Sequence, residues 1–168
     1  MIHAIRISLA VFGVVMTPLF AFAARDAFGF NAPSISGIAN GGSVRLTGGG
    51  AYALPDFVHS GGSFSCLTPV NNGPLRGCGA GEGVRWDTAS LLPSTNFKCV
   101  GTDSLKTATT GDQTVVLQAD FYRAGDGNNE SFTGQMIVSA NDLAPDVLGI
   151  QNVWIQGVGC GSAVVNFN

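Results

Sequence analysis

Thr114-Val115-Val116-Leu117-Gln118-Ala119-Asp120-Phe121-Tyr122 is the stretch that decides the fold class. Val115, Leu117, Ala119 and Phe121 fall on one side of an extended chain. Thr114, Val116, Gln118, Asp120 and Tyr122 fall on the other. A period of two is the signature of a half-buried β-strand. The simplest partner is Ser131–Ser139, joined through Arg123-Ala124-Gly125-Asp126-Gly127-Asn128-Asn129-Glu130. That connector is rich in residues that tolerate left-handed backbone angles, as a hairpin requires.

Working outward, short β-prone runs recur between clusters of turn residues. They are Ser43–Leu54, Phe57–Cys66, Phe97–Thr102, Gln151–Val158 and Ser162–Phe167, with Val84–Asp87 as a further short candidate. Turn signals at intervals of roughly 8–12 residues predict a sandwich or barrel rather than βαβ units. The expectation is an all-β domain over residues 43–168 with about seven or eight strands. A second hairpin is expected to turn through Gly159-Cys160-Gly161, and one helical turn is expected over residues 141–146 with Asn141 as its cap. Gly-Gly pairs at 41–42, 48–50 and 61–62 mark bulges or bends, which tilts the choice toward a barrel.

The N-terminus carries a different signal. His3 and Arg6 precede an apolar stretch from Ile7 to Phe20, and Ala21-Phe22-Ala23 follows as a small-x-small site. This reads as a signal peptide over residues 1–23, cut before Ala24. Residues 24–42, rich in Gly, Ala, Asn and Ser, read as a flexible leader. The processed chain has no second apolar stretch long enough to span a membrane as a helix. The expected destination is outside the cytoplasm, extracellular or periplasmic.

That destination fixes the reading of the cysteines. Cys66, Cys78, Cys99 and Cys160 form an even set, and in an exported chain they predict two disulfides. The turn-forming Asn71-Asn72-Gly73-Pro74 favours Cys66–Cys78, leaving Cys99–Cys160; Cys66 with Cys99 stays open. No CxxC pair is present, and His59 is the one histidine left after processing. Zinc and thiol-redox chemistry are therefore not indicated.

Composition excludes more. The chain of 168 residues has 24 Gly, 11% charged residues and a net charge of −3. A nucleic-acid binder needs clustered Lys and Arg, which this chain lacks. Phosphate-loop, dinucleotide and zincin motifs are missing as well.

The remaining candidates are few. Trp154 shares the more polar side of its predicted strand with Asn152 and Gln156, a platform on which a sugar ring could stack. Asp126, Asn128 and Glu130 offer spaced oxygen ligands that Ca²⁺ would accept, although a hairpin turn needing no metal is the simpler account of them and no other cofactor is indicated. Asp56, His59 and Ser60 are close in sequence, but His59 and Ser60 point to opposite sides of any strand, and no Gly-x-Ser-x-Gly elbow exists. Asp120 with Glu82 or Asp87 could supply the paired carboxylates of a hydrolase acting on extracellular carbohydrate. The reading that asks least of the residues is a binding or structural module with an extracellular ligand, a glycan among the possibilities.

Overall fold

Pairing of alternating strands organises the chain, and the computed structural model describes it over residues 25–122 and 132–168. The described residues hold eleven strands and no helix: β1 (Asp26–Gly37), β2 (Ser43–Ala53), β3 (Phe57–Thr68), β4 (Arg85–Leu92), β5 (Ser94–Phe97), β6 (Lys106–Thr109), β7 (Thr114–Tyr122), β8 (Phe132–Ser139), β9 (Val153–Ile155), β10 (Gly159–Gly161) and β11 (Val164–Phe167). The all-β class stands, with more strands than the seven or eight expected. Of the unexpected elements, β5, β6 and β10 are short and carry too few residues to show a period, whereas β1 has twelve residues and its alternation is broken by a bulge.

The main sheet runs β10-β9-β8-β7-β4-β3-β2-β1-β11, and β10 also pairs with β1. The circuit therefore closes. β1 serves two neighbours on one edge: residues 28–31 pair with β11, and Ser36 and Gly37 pair with β10. Closure removes most of the free sheet edge that would otherwise invite aggregation.

The inner side of the circuit is filled by the expected alternation. Val115, Leu117, Ala119 and Phe121 of β7 point inward with Met136 and Val138 of β8. On β2 and β3 the inward positions at 48, 50 and 62 are glycines, and aromatic rings occupy the space instead. Phe28 stands opposite Gly50, Phe30 opposite Gly48, and Trp86 opposite Gly62. Each large apolar side chain buried this way stabilises by about 1.5–3 kcal/mol.

Residues 69–78 close a gap beside β8. Val70 and Leu75 are fully buried in the inner core. The Cys66–Cys78 disulfide ties this segment to β3. Gly73 meets Gly157 so closely that a Cβ on either would stand 2.6 Å from the other's Cα. Both have positive φ, so only glycine fits without strain.

A second layer covers one outer face. Val116, Ile137, Trp154 and Cys160 form a cross-strand row on the outside of β7–β10. The β5–β6 hairpin and the segment after β8 lie over it, contributing Phe97, Cys99, Ala108 and Ala144 to a second core. The Cys99–Cys160 disulfide joins the two layers. Of the three possible pairings, the structure thus holds Cys66–Cys78 and Cys99–Cys160.

Several sequence expectations are corrected here. The stretch 24–42 is not a flexible leader, because most of it is β1 at the closure of the barrel. Its Gly, Asn and Ser residues masked an inward series of Phe28, Phe30, Ala32 and Ile35, which shifts register at a bulge after Ala32. The second hairpin turns at residues 156–158, and Gly159-Cys160-Gly161 is itself a strand. β11 then pairs with β1, the far end of the chain, which local turn chemistry cannot reveal. No helical turn forms at 141–146; Asp142 Oδ1 instead accepts hydrogen bonds from the Ala144 and Gln151 amides and pins the base of that loop. The run expected at Phe97–Thr102 contributes only its first residue to β5, and Val84–Asp87 lengthens into β4.

Candidate functional site

The uncovered outer face of β1–β4 presents a row of residues in direct register: Asn166, Gly29, Gly49, Gly61, Asp87, Asp120 and Thr133. Directly opposed residues share a face. Three consecutive glycines carry no side chain where neighbouring rows do, and the Asp87 carboxylate leans over Gly61, its Oδ1 2.8 Å from where a Cβ would stand. On one flank run Asn31, Thr47, Ser63, Arg85 and Tyr122; on the other, Ala51 and His59. A depression of about 470 Å³ results, lined by Gly49, Gly61, His59, Arg85 and Asp87 among others.

Its walls are held in place. Arg85 Nη1 donates to Asp87 Oδ2 at 2.5 Å, and the guanidinium lies 4.1 Å above the centroid of the Tyr122 ring. The Thr47 and Ser63 hydroxyls are 2.6 Å apart. Asp120 Oδ1 accepts a hydrogen bond from Thr133 Oγ1 at 2.9 Å. The Arg85 and Asp87 side chains remain more than a third exposed, so their polar atoms face solvent as well as each other. Planar carboxylate and guanidinium groups in such a setting suit bidentate recognition of paired hydroxyls.

The other sequence candidates separate on this structure. Asp87 and Asp120 do come together, as direct cross-strand partners. Glu82 does not join them; its Oε2 accepts the Gly79 amide and closes a turn next to Cys78. His59 is exposed on the outer face, whereas Ser60 opposes the core-facing Gly50 and its hydroxyl contacts that of Thr88. The Asp56, His59 and Ser60 grouping therefore makes no triad.

The Trp154 platform is corrected. Trp154 is 4% exposed, packs against Phe97, and donates Nε1–H to the Lys98 carbonyl at 2.9 Å. Asn152 is also buried, donating to the Ser139 carbonyl, and Gln156 Oε1 accepts the Gln135 amide. Trp154 does face away from Val153 and Ile155, but the second layer covers that side. Asp126, Asn128 and Glu130 lie outside the described residues. Among the described residues, no group of three or more His, Cys, Asp or Glu side chains is placed to hold a metal ion.

The sequence reading missed Gly49, Gly61 and Arg85 as a unit. A signal was present: the glycine pairs 48–50 and 61–62 are equally spaced about the turn at residues 54–56, which places them opposite each other in a hairpin. Among the described residues no helix is long and apolar enough to cross a membrane. Comparison with protein-family models, with curated proteins and with solved structures finds no match to this chain.

Proposed function

We propose that this chain is an exported binding module that takes a hydroxyl-rich ligand, a glycan, on the outer face of β2–β4. One observation carries the reading: a polar depression floored by Gly49 and Gly61 and walled by His59, Arg85 and Asp87. A floor with no side chains of its own lets a flat ring approach the backbone beside the Asp87 carboxylate. Charged, planar wall groups then bond its hydroxyls, each charge-assisted bond contributing about 1.5–3 kcal/mol. Two disulfides and the signal-peptide-like start support export. Screening the wild type against a glycan panel, followed by calorimetry on Arg85→Ala, Asp87→Asn and His59→Ala, tests the reading. The expected result is saturable binding of a glycan class, weakened at least tenfold by Arg85→Ala or Asp87→Asn. Absence of binding across the panel, or binding that ignores these variants, rejects it.

A second reading rests on the opposition of Asp87 and Asp120. Direct opposition across a strand pair brings the two β-carbons to about 4.5–5.5 Å, and paired carboxylates on neighbouring positions are what a glycosidase requires. The Arg85 and Thr133 partners explain equally well how two like charges are tolerated there. Turnover of fluorogenic glycosides that vanishes in both Asp87→Asn and Asp120→Asn would favour the hydrolase; unchanged glycosides favour the binding module.

A further inference from the structure

We propose a second binding site, on the opposite side of the molecule from the glycine-floored face, for a small molecule with an apolar body and a basic nitrogen. A cavity of about 470 Å³ lies between β6 and the loop at 141–146. That volume falls within the range of about 300–1,000 Å³ typical of small-molecule pockets. Phe97, Ala108, Leu143 and Pro145 supply apolar lining. Thr107, Thr109, Thr114 and Ser139 line it too, and the hydroxyls of Thr114 and Ser139 are bonded to each other at 2.8 Å.

Charge selects the ligand. Asp142 and Asp146 line the cavity with a single cation, Lys106. The Lys106 ammonium is already engaged, 2.9 Å from Asp146 and 3.5 Å from Asp103. An incoming anion would have to draw Lys106 away from two carboxylates. An incoming ammonium meets two lining carboxylates, Asp142 and Asp146, while the one lysine is held between Asp146 and Asp103, with apolar surface beneath them. Leu105, Leu148 and Ile150, all exposed, extend the apolar surface beyond the rim for a longer ligand. The loop is a fixed wall, because Asp142 Oδ1 holds the Ala144 and Gln151 amides.

The test uses three matched probes, phenethylamine, phenylpropionate and phenethyl alcohol, titrated into the disulfide-intact protein and followed by amide shifts in NMR. Phenethylamine should shift the amides of residues 106–109, 143, 144 and 146 saturably, and should bind about tenfold more tightly than phenylpropionate, the ratio expected from one favourable charge contact. Asp142→Asn keeps the oxygen that pins the loop, so together with Asp146→Asn it should erase the preference for the amine without unfolding the wall. Thr109→Trp, at an exposed position, should block all three probes. The proposal is overturned if the amine gives no saturable shift at millimolar concentration, if phenylpropionate binds as well, or if the shifts map to the β2–β4 face. Because the two sites share no residue, failure here leaves the glycan reading untouched, and the reverse also holds.

Discussion

The indole of Trp86 rests against the backbone of Gly48. A Cβ at Gly48 would stand 2.7 Å from the ring's Cζ2 and 2.4 Å from the Gly61 carbonyl oxygen, while the indole Nε1 donates to the neighbouring Thr47 carbonyl at 2.9 Å. The inward glycines of β2 and β3 thus make room for the largest side chain of the inner core. The outward glycines of the same strands floor the candidate site.

Gly48→Ala should therefore destabilise the fold by about 1–3 kcal/mol, because a backbone oxygen and a packed ring must both move. Gly29→Ala is the control: the nearest atom to its added Cβ is 3.9 Å away, an ordinary contact. Urea unfolding of the two variants should separate them clearly; equal midpoints would contradict the close approach.

Trp154→Phe should cost about 1–3 kcal/mol, because the Lys98 carbonyl loses its partner within a buried layer. Glycan binding should be unchanged, since Trp154 lies under β5–β6 and away from the β2–β4 face. Loss of glycan affinity in a variant that remains folded by circular dichroism would restore Trp154 as a platform.

The two disulfides should differ in weight. Each contributes about 2–4 kcal/mol in the chain-entropy account, with the larger share for the longer loop. Cys99 and Cys160 are 61 residues apart and Cys66 and Cys78 only 12. Replacing Cys99 and Cys160 together by Ala should thus lower the urea midpoint further than replacing the other pair. It should also shift tryptophan fluorescence to longer wavelength as the second layer loosens over Trp154.

Tyr52 should contribute to the pH dependence of stability on the alkaline side. Burial, with Asp26 and Asp112 nearby, raises its phenol from the usual 10.0 to about 12, and its hydroxyl donates to the Gly111 carbonyl at 2.7 Å. The unfolded chain releases this proton near pH 10 and the folded chain near pH 12. The stabilisation is whole below pH 10 and is lost as pH rises through 12. Tyr52→Phe should cost about 0.5–1.5 kcal/mol at neutral pH for the lost hydrogen bond, and should remove this part of the alkaline decline. A decline of the same size in the variant would assign it to other groups.

Sequence alone determined the β class, the β7–β8 hairpin with its inward and outward faces, and the presence of cross-linking cysteines. The period of two and the turn residues act over a few residues, and the even cysteine count is a matter of composition that requires no knowledge of which segments meet. Tertiary structure alone decided which outer face would be covered. Trp154 and Asp87 both point away from the inner core, yet one lies under β5–β6 and the other faces solvent. It also decided that β1 closes the barrel, that Gly29, Gly49 and Gly61 fall in one row, and that Asp87 meets Asp120. Each depends on pairing between segments far apart in sequence, where register comes from how the inner core packs and no short stretch of residues carries the information.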